Sequence, residues 1–155
     1  MFRLLVLSDT HGCIRIVKAI SDKNSAVNGV LHLGDGFADA QEVFPDLPGI
    51  YSCKGNCDVT GGGFPFPEDI IIQTIENVRF TACHGDAFSV KNTLRIYLET
   101  VRKNNCKIGF YGHTHIQKKT ITDDVVLVNP GRGMAGEYCI AEFSAGQVNF
   151  LFFNL

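Results

Sequence analysis

The chain has no apolar run long enough to span a bilayer, no excess of either charge and no paired cysteines at zinc-finger spacing. Each absence removes a class of function. The longest apolar stretches are strand-sized and broken by charge, well short of the ~20 residues of a membrane helix. With 14 basic and 16 acidic residues the net charge is -2, and basic and aromatic residues are not interleaved. Neither a long nucleic acid nor an anionic membrane is therefore expected as an obligatory partner. The start, Met1 to Asp9, lacks a small-residue cleavage site and runs directly into a motif, so it reads as a core strand rather than a signal peptide. Cys53 and Cys57 have no second pair to complete a structural zinc site. There is no internal repeat and no long linker, and 155 residues suit one domain spanning 1–155.

What is present is an ordinary globular composition, 45% hydrophobic and 19% charged. Of the six cysteines, Cys53, Cys83, Cys106 and Cys139 lie in or beside apolar strand-like runs. There they are expected to pack as reduced thiols, which points to a cytoplasmic location.

Phe2 to Ser8 is continuously apolar, the pattern of a buried strand. If the backbone stays extended beyond it, Asp9 and His11 face the same way. Ile14 to Lys23 has helical spacing, and Val30 to Leu33 is a second strand, giving a βαβ unit and a parallel pair. A short helix from Phe37 is stopped by Pro45 and Pro48, and Ile50 to Cys53 is a third strand. The glycine-rich Gly61 to Pro67 is a flap or connector. Beyond it, Asp69 to Ile75 and Asn77 to Cys83 form a hairpin turning at Glu76-Asn77. Ser89 is a candidate N-cap for a helix through Val90, Leu94, Tyr97, Leu98 and Val101. The remaining segments read as strands: Lys107 to Tyr111, Lys118 to Thr122, Val125 to Val128, Tyr138 to Phe143 and Val148 to Phe153. So many strands, some antiparallel, predict two packed sheets with helices outside.

Seven potential metal ligands each end a predicted strand: Asp9, His11, Asp35, Asn56, His84, His113 and His115. Leu31 to Asp35 is the centre of the set, because a buried strand delivers Asp35 to its carboxyl end and a carboxylate has two oxygens with which to bridge two cations. Mixed imidazole and carboxylate ligands suit manganese, iron or zinc better than magnesium or calcium. Two such ions ~3.5–4 Å apart can clamp the oxygens of an in-line phosphoryl displacement. Two divalent cations against Asp9 and Asp35 leave a positive site that favours an anionic phosphate ester.

Asp-x-His, Gly-Asp, Gly-Asn-x-Asp, His-Gly and Gly-His-Thr-His, in that order, resemble the motifs of the calcineurin-like metallophosphoesterase superfamily. The short chain, Gly55-Asn56-Cys57-Asp58 and Asn129-Pro130-Gly131 resemble its small bacterial and archaeal phosphodiesterase branch. The resemblance implies an α/β fold arranged as a four-layer αββα sandwich, two mixed sheets flanked by helices. It implies one metal on Asp9, His11, Asp35 and His115 and a second on Asp35, Asn56, His84 and His113. The ions it implies are manganese, iron, zinc, nickel or magnesium, and a hydroxide bridging them would attack a small phosphodiester. Asp35, Asn56 and His84 would then act in catalysis through that hydroxide.

One position departs from the broader pattern. Many members carry His after the motif Asn, where Cys57 stands here. A thiol of reference pKa ~8.5 is a poor general acid beside an imidazole near ~6.5, so good leaving groups are expected. Asp58 and Asp86 could orient a ligating His through its other ring nitrogen. Cys57 could instead fill space. His32 reads as a satisfied buried His, Thr114 as a turn residue, and Arg132 as a surface residue that could reach phosphate. The alternatives are a phosphomonoesterase, a nuclease, or a scaffold like the retromer subunit that resembles this family and has lost part of its ligands. Phe64-Pro65-Phe66 could form a contact in a homo-oligomer or a lid.

Overall fold

The computed structural model describes residues 1–155. The first half winds as β1 (Phe2–Leu7), α1 (Ile14–Lys23), β2 (Gly29–His32), α2 (Phe37–Val43) and β3 (Ile50–Ser52). The second contains β4 (Ile70–Ile75), β5 (Val78–Cys83), α3 (Arg95–Lys103), β6 (Ile108–Tyr111), β7 (Lys118–Ile121), β8 (Val126–Asn129), β9 (Glu137–Ser144) and β10 (Gln147–Asn154). One sheet runs β10-β9-β1-β2-β3 and the other β4-β5-β6-β8-β7. Both are mixed: β1 pairs parallel with β2 and antiparallel with β9, and β6 lies parallel to β5 and β8.

The unbroken apolar character of β1 follows from burial on both faces. Leu4 and Val6 join Leu31, Leu33, Phe80 and Phe110 between the sheets. Leu5 and Leu7 point the other way and meet Val17 and Ile20 of α1. On the far side Tyr97 and Val101 of α3 cover Tyr111 and Leu127. The layers are thus helix, sheet, sheet, helix, as expected. All six cysteines are free, and the four assigned to apolar runs are buried. No helix is long and apolar enough to cross a membrane.

The Glu76-Asn77 turn forms as expected, with both residues at positive φ (48° and 64°). The Ser89 cap does not. Ser89 has φ 53° and closes a short 3-10 turn over Asp86–Phe88, and the helix begins only at Arg95. Val90 instead packs on Gly85, where an added Cβ would come within 2.6 Å of it. Thr93 supplies the start signal, its Oγ1 accepting the Arg95 N–H at 3.2 Å. Packing of the loop after His84 has overridden an apolar period that continues straight through it.

Candidate metal centre

Each loop of the site leaves the end of a strand. The loop after β1 carries Asp9 and His11, that after β2 Asp35, that after β3 Asn56, that after β5 His84 and that after β6 His113 and His115. The first two loops are stitched by Asp9 N–H to Gly34 O (3.0 Å) and His11 N–H to Asp35 O (2.9 Å). The backbone at Asp9 and His11 is not extended. Asp9, His11, Asp35, His113 and His115 all have φ between 48° and 65°, the left-handed region. Each such residue costs about 1–2 kcal/mol, and five among seven candidates concentrate strain where side chains must converge.

Asp9 Oδ2 is held by the Ser8 hydroxyl (2.6 Å) and the His113 N–H (3.1 Å), leaving Oδ1 facing His115 Nε2 at 3.1 Å. Asp35 Oδ1 accepts the Cys57 N–H at 2.7 Å, and its Oδ2 faces both His84 Nε2 (3.3 Å) and His11 Nε2 (3.9 Å). Oδ1 already accepts a backbone N–H, and Oδ2 is the oxygen that faces both histidines. Potential ligand atoms of Asp9, His11 and His115, of Asp35, His84 and His113, and of His11, Asp35 and Cys57 lie within 4.8 Å of one another in each group.

His84 tests whether a cation fits. Its Nδ1 lies 2.8 Å from Leu33 O, which can only accept, so Nδ1 carries a proton. In the neutral ring Nε2 then presents a lone pair. Around it stand Asn56 Oδ1 (3.1 Å), His113 Nδ1 (3.1 Å) and Asp35 Oδ2. A proton on His113 Nδ1 would answer one of these contacts, but Asn56 Oδ1 and Asp35 Oδ2 would still face the Nε2 lone pair, and this donor set fits a divalent ion. The ring's own affinity for a proton tells the same story. Burial disfavours a charged His84, yet the Asp35 contact and the Asp9 and Asp35 charges raise its pKa overall. Burial works against a charged Asp35, but bonds with His84 and the Cys57 amide hold its carboxyl well below the usual range. Burial, then His84 and Lys91, push His113 down.

Asp58 does not orient a histidine. It accepts N–H groups from Asp35, Gly55 and Gly36, each at 2.8 Å, and so clamps two loops by their backbones. Asp58→Ala strands three donors; a loss on the order of 3 kcal/mol and a 10- to 100-fold weaker manganese affinity are expected by denaturation and calorimetry. Asp86 is exposed and makes no side-chain hydrogen bond to a histidine. Cys57 is exposed, and its Sγ accepts from Asn56 Nδ2 at 3.3 Å.

His32 is buried and satisfied. Its Nδ1 takes the Gly34 N–H (3.2 Å) and its Nε2 meets Thr10 Oγ1 (2.9 Å), while burial lowers its pKa to about 4. Thr10 in turn donates to Asp39, which also accepts the Gly12 N–H at 2.9 Å. Thr10 and Asp39 carry no signal in the sequence, and Asn129 is marked there as part of Asn129-Pro130-Gly131. Asn129 Nδ2 braces Gly112 O and Thr114 Oγ1, both at 3.0 Å, and its position at the abrupt end of the Val125 to Val128 run was the available signal. Arg132 is exposed with no side-chain partner.

Residues 2–145 match the family model described as a calcineurin-like phosphoesterase superfamily domain. The chain belongs to that superfamily. A Mycoplasma pneumoniae protein named probable metallophosphoesterase is 27% identical over 165 aligned positions, covering 99% of this chain and 98% of that protein. A likewise named Methanocaldococcus jannaschii protein is 29% identical over 81% of this chain and 65% of its own length. Among solved structures, a predicted phosphoesterase from Streptococcus pneumoniae has TM-score 0.78 at 23% identity, covering 99% and 89% of the two chains. A novel archaeal phosphodiesterase has 0.72 at 21%, covering 98% and 100%. Vps29 of Entamoeba histolytica complexed with zinc has 0.75 at 16%, covering 99% of each. Membership of this phosphoesterase superfamily implies divalent metal ions, and the clustered Asp and His residues are the ones able to hold them.

Proposed function

We propose that the protein is a hydrolase of small phosphodiesters that works with two divalent ions. The observation carrying this reading is the meeting of lone pairs at His84 Nε2, which a cation would answer. Asp9, His11, Asp35 and His115 would hold one ion, and Asp35, Asn56, His84 and His113 the other. Manganese is the first choice; iron, zinc, nickel and magnesium are the alternatives. Such ions supply Lewis acidity toward a phosphoryl oxygen and lower the pKa of water.

The chain's own groups define the rest. Asp9 and Asp35 are each fixed through one oxygen and keep the other free, so the negative charge facing the substrate side is limited. That balance favours an anionic phosphate ester. Cys57 stands beside His11 and Asp35, where a proton donor to the departing oxygen would sit. Burial and the Asp35 charge push its thiol up, so it gives up a proton reluctantly. The leaving group must then depart as a stable anion, which favours aryl or cyclic diesters. The archaeal phosphodiesterase of the same fold supports the diester choice. Cys57→His is expected to raise turnover of an alkyl diester by on the order of tenfold or more, and of an aryl diester much less. Steady-state rates with both substrates check it.

The test is to strip the protein with chelator, refill it with manganese and offer an aryl diester and an aryl monoester, with His113→Ala alongside. Turnover that favours the diester and is lost in the variant supports the reading. A monoester preference revises the substrate class. Equal residual rates in wild type and variant favour the non-catalytic scaffold reading.

A further inference from the structure

Beside the cleft that holds His11, Asp35 and Cys57 lie two others of different charge. One, of about 410 Å³, contains Lys54 but also Asp58, Asp69 and Asp86. The other, of about 510 Å³, has Lys91 and Lys118 on its walls and no acidic residue. Thr114, between His113 and His115, forms part of its floor beside the buried Tyr111, and Leu94 and Ile116 add apolar surface.

Both lysines reach this cleft on backbone tied to the metal centre. Lys91 follows Val90, which packs on Gly85 next to His84. Lys118 pairs with Asn129, the residue that braces Gly112 and Thr114. Neither lysine forms an ion pair with a carboxylate, whereas Arg3 and Arg102 do. Tyr111, 2% exposed, is also part of the lining. Two unneutralised ammonium groups and a threonine hydroxyl next to a phosphoester site form an anion-binding wall with a short apolar approach.

We infer that the Lys91–Lys118 cleft binds a second anionic group on the substrate, so that the preferred diester carries a further phosphate or phosphonate on the arm that is not displaced. The inference rests on the diester reading of the adjoining site. The cleft that holds Cys57, with Asp35, Asp39 and Asp58 on its walls, would then face the departing arm, and its difference in charge from the lysine cleft fixes which ester bond is cut.

The test compares p-nitrophenyl ethyl phosphate with p-nitrophenyl phosphonoethyl phosphate, which differ by one anionic group. Manganese-loaded protein should favour the second by about tenfold or more in kcat/KM at low salt. The preference should shrink as ionic strength rises. Lys91→Gln with Lys118→Gln should bring the ratio toward one, while Lys103→Gln, on the exposed side of α3, should leave it as in wild type. A wild-type ratio near one, or a ratio the double substitution does not move, overturns the inference. If neither diester is cleaved, the diester reading itself fails, and the cleft is judged in metal-free protein by titration with inorganic phosphate. Saturable amide shifts at Lys91, Thr114 and Lys118 that vanish in the double variant uphold an anion site there; their absence overturns it.

Discussion

Asp35→Asn is expected to lower aryl diester turnover by on the order of 10³-fold or more, since a metal centre supplies several kcal/mol of charge stabilisation. The reason is local. The amide oxygen can still accept the Cys57 N–H, which places the new NH₂ where Asp35 Oδ2 now faces His84 and His11. A donor replaces the acceptor oxygen that both histidines face, and the charge is lost with it. Manganese stoichiometry by calorimetry should fall while the circular dichroism spectrum is retained. A variant that keeps both its manganese and its rate would contradict the assignment of Asp35.

Gly55→Ala is expected to cost about 1–3 kcal/mol of stability and roughly 10²-fold in activity. A Cβ at Gly55 would fall within 3.0 Å of the Asp35 amide and carboxylate. The Asp58 clamp prevents the two loops from parting, because it holds Gly55 N–H and Asp35 N–H with the same oxygen. The strain must therefore displace the carboxylate. Gly61→Ala, in the loop beyond, is the comparison: its Cβ would clash with the Phe64 carbonyl oxygen and no candidate ligand is among its nearest neighbours, so stability should fall there too while activity stays near wild type. Chemical denaturation and steady-state kinetics of the two variants separate the effects.

These glycines mark where the sequence was legible and where it was not. Strands β1, β2 and β6 announce themselves because nearly all their residues are buried, and each is followed within three residues by a candidate ligand, Asp9, Asp35 or His113. The loops were harder to read. Extended backbone through Asp9 and His11 was a reasonable inference from strand geometry, but the chain turns into the left-handed region at both, and that choice depends on bonds to Gly34 and Asp35 far along the chain. Asp58 was read as a partner for histidine because carboxylates often are; its true partners are backbone amides, which have no sequence signature. Ser89 failed as a cap for a similar reason, since the packing of Val90 on Gly85 is a tertiary contact. His32 was read correctly as a buried, bonded ring, yet its neighbours Thr10 and Asp39 could not be found without the distances between loops. Phe66 lies against Phe37 and under the Lys54 ammonium, 4.8 Å from its ring centre, so its aromatic face already has company within the chain.

The most direct test of the account is anomalous scattering from crystals grown with manganese. Two peaks per chain are expected, with the Asp35 carboxylate between them, Asp9, His11 and His115 around one, and Asn56, His84 and His113 around the other. A single peak, or none within reach of His84 Nε2, would contradict it.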